Sequence, residues 1–265
     1  MTTRPVRSHR CCAEFGPWHP STGAMSGPTK RRGRLCEALE MSEPPALHTV
    51  QSERRRLAEV GPAFVRSAGD FALIALPDQD GDVLRDLLVE DRARVVIEIG
   101  LAYGSSALAI GEALVLQGAE ASSHVVIDPF QDHFHHAGWQ AIIAAGLEEV
   151  STLLPERSQF ALPRLLAEGF VADAAFVDGS HIFHRVFVDL AFLHEILRPG
   201  GLIILDDCQW PSVATAVRYF EVNTGWRSVT PSTSTRLRAF RVPDPRTERT
   251  FEDFTPFTIE LAAPS

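Results

Sequence analysis

The chain has 265 residues, 45% of them apolar and 22% charged, which supplies a hydrophobic core and excludes global disorder. No window approaches the ~18 consecutive apolar residues of a membrane span, because Glu112, Gln117 and Glu120 interrupt the best stretch. Lys plus Arg number 25 against 34 for Asp plus Glu, a net charge of −9 and the wrong sign for a partner held by phosphate neutralisation, so neither a membrane nor a nucleic acid is expected.

Residues 1–34 carry seven basic groups against the single acid Glu14, with scattered Pro, Gly and Ser and no hydrophobic period. Such a stretch cannot offset its ordering entropy by burial, and residues 1–51 read as a disordered basic tail ahead of a domain at 52–265. An Arg-rich, acid-poor start loosely fits a transit peptide, but an over-extended start, with Met25 or Met41 as the beginning, is the favoured reading. Cys11, Cys12, Cys36 and Cys208 form no CxxC pair and read as free thiols in a reducing, cytoplasmic setting.

From residue 52 onward, short β-branched runs alternate with longer segments of helical period, the pattern of a parallel sheet covered by helices. Strands are expected at 95–99, 124–128, 150–154, 174–178 and 202–206. Helices are expected at 53–67, 81–91, 104–117, 132–146, 158–168, 182–197 and 210–222. Arg198-Pro199-Gly200-Gly201 should stop one helix and turn the chain into the next strand. Runs at 226–230 and 236–242 read as an antiparallel pair closing the sheet. The fold class is α/β: a Rossmann-like, doubly wound and mostly parallel sheet with an antiparallel C-terminal pair.

In open sheets of this kind ligands bind beyond the carboxyl ends of the strands, and Glu98, Asp128, Asp178, Asp206 and Asp207 all fall there. Any one acid could simply cap the next helix. Several acids brought together repel unless a ligand or cation uses them, and that favours a site. The first strand-to-helix turn runs Glu98-Ile99-Gly100-Leu101-Ala102-Tyr103-Gly104-Ser105-Ser106. Gly100 and Gly104 permit a tight turn and close backbone approach. The dinucleotide fingerprint fails at Ala102 and Ser105, and Glu98 would repel a diphosphate, so a cationic cofactor suits the turn better. Asp128 stands where an acid accepts hydrogen bonds from the ribose of an adenosine. Tyr103, Trp139 and Trp210 could wall a ligand or serve as core. Asp132-His133-Phe134-His135-His136 lacks a fixed metal-ligand spacing and reads as a solvated loop, while Cys208 among acids should be inert.

The string 95–104 with its acid-ended following strand resembles the class I S-adenosylmethionine-dependent methyltransferases. So do Phe176-Val177-Asp178-Gly179-Ser180-His181 and Leu197-Arg198-Pro199-Gly200-Gly201 before a strand, and the resemblance covers roughly residues 80–242. It implies a cofactor site at Glu98, Gly100, Tyr103, Gly104, Ser105, Ser106, Asp128 and Asp178. Within that superfamily Asp178 with Asp206 and Asp207 looks like the metal triad of the catechol-type and macrocin-type O-methyltransferases, and His181 is similar to the general base of the macrocin-type group. Catechol-type enzymes carry a lysine there. Mg2+ wants six oxygens, so two or three carboxylates would leave room for a hydroxyl substrate and ease loss of its proton. The expected function is metal-assisted methylation of a small-molecule hydroxyl, sugar or phenol-like. The alternatives are metal-independent transfer to N or S, or a non-catalytic binding module. A homo-oligomer is compatible with all of these.

Overall fold

The computed structural model describes residues 46–63, 68–229, 235–245 and 250–258, all within the compact unit Glu43–Ser265. Residues 1–45, the bulk of the expected tail, lie outside the described residues.

The sheet has seven strands in the order β3-β2-β1-β4-β5-β7-β6. β1 (Val95–Ile99), β2 (Ser123–Ile127), β3 (Ser151–Leu154), β4 (Ala172–Val177) and β5 (Leu197–Leu205) run parallel. β7 (Arg238–Arg241) lies antiparallel to β5, and β6 (Arg227–Val229) antiparallel to β7. This is the expected architecture. β1 pairs with β2 on one side and β4 on the other, so the strand order reverses at β1 and a crevice opens beyond its carboxyl end.

Strand alternation feeds two cores. Ile97, Ile99, Val177, Ile203 and Leu205 face a layer that includes α6 (Ser158–Ala167), α7 (Phe183–Ile196) and α8 (Pro211–Asn223). Val96, Ala174, Phe176 and Ile204 face α3 (Asp78–Asp91) and α4 (Ser105–Leu116). Near-continuous apolar runs are what a sheet buried on both faces requires.

Three boundaries differ from expectation. The first helix, α1, spans Leu47–Val60 rather than 53–67, so folded structure begins ahead of residue 52. Gly61 and Pro62 end it, and a separate α2 follows at Ala68–Ile74. α1 is anchored by Arg54, whose buried guanidinium donates to Glu112 Oε2 at 2.7 Å and lies 2.9 Å from Asp82 Oδ1; sequence periodicity cannot see such a tertiary anchor. α5 spans only Ala137–Ala144, because residues ahead of it are drawn into turns, with His135 and His136 at φ 51° and 57°. Finally, Arg198–Gly201 belongs to β5 itself, which pairs from Leu197 onward with a register shift opposite Ala172/Ala174.

Candidate functional site

A cavity of about 410 Å3 opens at the carboxyl ends of β1, β2 and β4. Gly100, Leu101, Ala102, Tyr103, Ser105 and Ser106 form its floor, with Asp128 and Phe130 at one side and Asp178, His181, Asp207 and Arg236 at another. The floor is tight because of its glycines. Gly100 sits at φ 95°, and a Cβ there would come within 2.2 Å of the Asp178 carbonyl oxygen. Gly104, at φ 90°, precedes α4, and a Cβ there would come within 3.0 Å of the Gly138 carbonyl oxygen. Any L side chain at either position would be strained by φ alone and would also meet backbone.

Asp128 is the pin of this floor. Its Oδ2 accepts from Leu101 N and Ala102 N, both at 3.0 Å, and from Gln131 Nε2 at 2.9 Å. Among the described residues its Oδ1 accepts from Phe130 N alone, at 2.7 Å, and keeps acceptor capacity for a ligand. Gln131, buried, also donates to Ala102 O at 3.0 Å and accepts from Trp139 N at 3.3 Å. One glutamine thus joins the turn, the strand-end acid and the start of α5, and it was invisible in sequence because a lone Gln carries no periodic signal.

Of the expected cofactor residues, Glu98 and Gly104 fall outside the cavity lining. Glu98 is wholly buried and does not line the cavity; Ser106 Oγ donates to its Oε1 at 2.5 Å. Its Oε2 lies 2.9 Å from His124 Nε2, though not aligned for a hydrogen bond. Glu98 therefore meets the cavity through the Ser106 hydroxyl. Tyr103 is buried edge-on between Phe71 and Phe134, with ring centroids at 5.5 and 5.0 Å. His133, His135 and His136 are exposed, as a solvated loop should be. Trp210 is exposed and outside the cavity lining. The cavity also has an apolar wall from Leu73 to Leu76 and a polar edge at Arg157, Ser158 and Gln159, neither marked by any sequence motif.

The acids at the ends of β4 and β5 do not form the expected triad. Among the described residues, the ligand atoms that converge, within 4.8 Å of one another, belong to Asp178, His181 and Asp207. Asp206 is turned away and its side chain is fully buried: Oδ2 takes Arg236 Nη2 and Oδ1 accepts from Asp207 N at 2.7 Å. The expectation that both consecutive acids turn into the crevice fails because Asp207 adopts φ 56°, which leaves Asp206 facing the arginine.

His181 Nε2 lies 2.8 Å from Asp207 Oδ2 and 3.7 Å from Asp178 Oδ1. Asp178 and Asp207 together push the imidazole up to about 10, and His181 in return holds Asp207 below the usual carboxylate range. Burial, aided by the neighbouring acids, pushes Asp178 up to about 6. Cys208 is free, and burial raises its thiol to about 12, which makes it inert. Ser212 Oγ donates to the His181 carbonyl at 2.5 Å and ties the start of α8 to this corner.

Among the described residues no helix is long and apolar enough to cross a membrane. Residues 97–208 match the family profile of a methyltransferase domain. No curated protein matches the chain. Among solved structures, the chain resembles cofactor-bound Rv0187 from MTB, at 18% identity over 77% of this chain and 92% of that one, with a TM-score of 0.53. It is also similar to an O-methyltransferase from Bacillus cereus in complex with SAH, at 17% identity, 77% and 93% coverage and a TM-score of 0.51. The O-methyltransferase TomG from Streptomyces achromogenes, involved in tomaymycin synthesis and solved with SAM, matches at 19% identity, 77% and 92% coverage and a TM-score of 0.52. At these identities the likeness is one of fold, and with the domain match over residues 97–208 and the glycine turn over a strand-switch crevice it supports an S-adenosylmethionine-dependent methyltransferase.

Proposed function

We propose that the chain methylates a hydroxyl group of a small molecule in the cytoplasm, with His181 as the base. The observation that carries this reading is that the glycine turn and a histidine hydrogen-bonded to an aspartate face one cavity. A volume of about 410 Å3 falls in the range of small-ligand sites. S-adenosylmethionine, when bound, supplies an electrophilic methyl group on a sulfonium. Gly100 and Ala102 offer backbone without side-chain obstruction, Asp128 Oδ1 can take a ribose hydroxyl, and Ser105, Ser106, Tyr103 and Asp178 complete the floor, with Gly104 and Glu98 supporting it. Ser158 and Gln159 provide hydrogen-bonding groups for a base edge.

His181 would take the acceptor hydroxyl's proton at Nδ1, the ring nitrogen that the Asp207 contact at Nε2 leaves, as the cofactor's methyl passes to that oxygen. Asp207 steadies the imidazolium that forms, as the orienting acid of a base does. Because the imidazole holds its proton up to about 10, the working base is scarce at neutral pH, and turnover should climb as pH rises toward that value.

The Mg2+ expected from sequence does not fit a triad of Asp178, Asp206 and Asp207, since Arg236 holds Asp206. No step is assigned to it. The test of this reading is calorimetry with S-adenosylhomocysteine, then transfer of labelled methyl to a panel of phenols, sugars, amines and thiols. One-to-one binding and label on oxygen are expected; label on nitrogen or sulfur alone would overturn the oxygen acceptor.

A further inference from the structure

Three carboxylates crowd the ends of β4 and β5, and the oxygens of two of them, Asp206 and Asp207, are answered from within the chain. Asp206 receives Arg236 on one oxygen and the N–H of Asp207 on the other. Asp207 faces His181 with Oδ2 and accepts from Gln209 Nε2 at 2.7 Å with Oδ1. Arg236 is itself braced from behind. Its Nε lies 3.9 Å from Asp80 Oδ2, on α3, and the neighbouring Thr235 hydroxyl bonds the other oxygen of Asp80.

A divalent ion at this corner would need near-octahedral oxygens at ~2.0–2.1 Å if it were Mg2+. The converging set offers two carboxylates and one imidazole nitrogen, and that nitrogen is already 2.8 Å from one of them, Asp207. The third acid is sealed behind a guanidinium, a charge that cannot be switched off by deprotonation. At contact distance that fixed charge also repels an incoming cation.

We infer that Arg236 takes the place of a divalent ion in this chain: it neutralises Asp206, and methyl transfer proceeds without bound metal. The inference rests on the methyltransferase reading above, and Arg236 acts as a positioning residue through Asp206 and Asp207 rather than on substrate.

Mn2+ alone is the probe, titrated into the full chain and followed by the paramagnetic signal of the free ion. Wild type and Arg236→Lys should leave that signal unchanged at micromolar ion. Arg236→Met removes the repelling charge and frees Asp206, and should tighten Mn2+ binding by about tenfold or more. One Mn2+ bound per wild-type chain at micromolar ion would overturn the inference, whatever the variants do. An Arg236→Met chain that folds but gains no ion would overturn the assignment to Arg236. Should that variant fail to fold, because Asp206 is left buried and unpaired, the wild-type titration still decides. S-adenosylhomocysteine calorimetry in excess EDTA runs alongside: loss of binding to freshly desalted, metal-free protein that returns with Mn2+ also overturns the inference. Absence of binding with and without Mn2+ sinks the methyltransferase reading instead.

Discussion

The two ends of the sheet handle buried charge in opposite ways. At the amino end of the strands, Asp91 receives Arg198 at 2.8 Å and also Arg241. Asp173 takes Arg198 Nε on one oxygen and the N–H groups of Arg94 and Val95 on the other, each at 2.9 Å. Burial works against ionising Asp173, yet these donors hold it below the usual carboxylate range. At the carboxyl end, the cationic groups that face Asp178, Asp206 and Asp207 among the described residues are His181 and Arg236, and the shortfall lands on Asp178, pushed up to about 6. The amino end is charge-matched and serves the fold. The carboxyl end is short of cations, and titratable groups held away from their ordinary values mark places where protons are handled.

Removing His181 should break the contrast most. His181→Ala is expected to lower kcat by about 10²–10⁴-fold, the range of general base catalysis, while S-adenosylhomocysteine still binds. The rise of rate with pH should vanish with the imidazole. A variant that keeps the wild-type profile would show that another group takes the proton.

Asp128 comes next. Asp128→Ala should weaken S-adenosylhomocysteine by about 1.5–3 kcal/mol, the loss for hydrogen bonds to a charged group, measured by calorimetry. The melting temperature should fall as well, because the same carboxylate pins Leu101, Ala102 and Phe130. Gln131→Ala should show a smaller version of both effects. At the amino end, Asp91→Asn is expected to cost about 1–2 kcal/mol of stability and leave cofactor affinity unchanged; a change in affinity would mean that the two ends are coupled.

Much of this was readable in the sequence, for reasons that can be named. β1, β2, β4 and the second half of β5 are β-branched or apolar runs buried on both faces, so local composition and tertiary role agree; β3, at the sheet edge, is half exposed. The acids at the strand ends follow from where the runs stop. What escaped is held by contacts distant in sequence. Arg236 meets Asp206 across a gap of 30 residues, and nothing around Arg236 distinguishes it from Arg238 two positions on. Arg54 fixes α1 by reaching Glu112 and the start of α3. The late start of α5 comes from Gln131 and Asp128 folding the preceding loop back on the turn, where helical period alone runs straight through.

The smallest effect tests whether charge shortage is confined to the carboxyl end of the sheet. Asp189 on α7 is buried, and that burial pushes its carboxyl up to about 6, against hydrogen bonds from Ser158 and Gln159 and the charge of Arg185. Gln159 Nε2 donates to it at 3.0 Å. The sign of the pH effect follows from proton counting. Below the ordinary carboxyl value both folded and unfolded chains hold the proton, so there is no penalty. Between that value and about 6 the folded chain alone keeps it, and stability falls as pH rises through this window. Above about 6 the penalty is complete. Asp189→Asn keeps one acceptor for Gln159 and removes the charge, so above pH 6 it should raise stability by about 1 kcal/mol or less, the lost charge-assisted bonds offsetting part of the gain. Wild type and variant should converge as pH drops toward 4. Melting curves across pH 4–8 make the comparison, and a variant less stable than wild type at pH 8 would show that Asp189 is as well matched as the acids at the far end of the sheet.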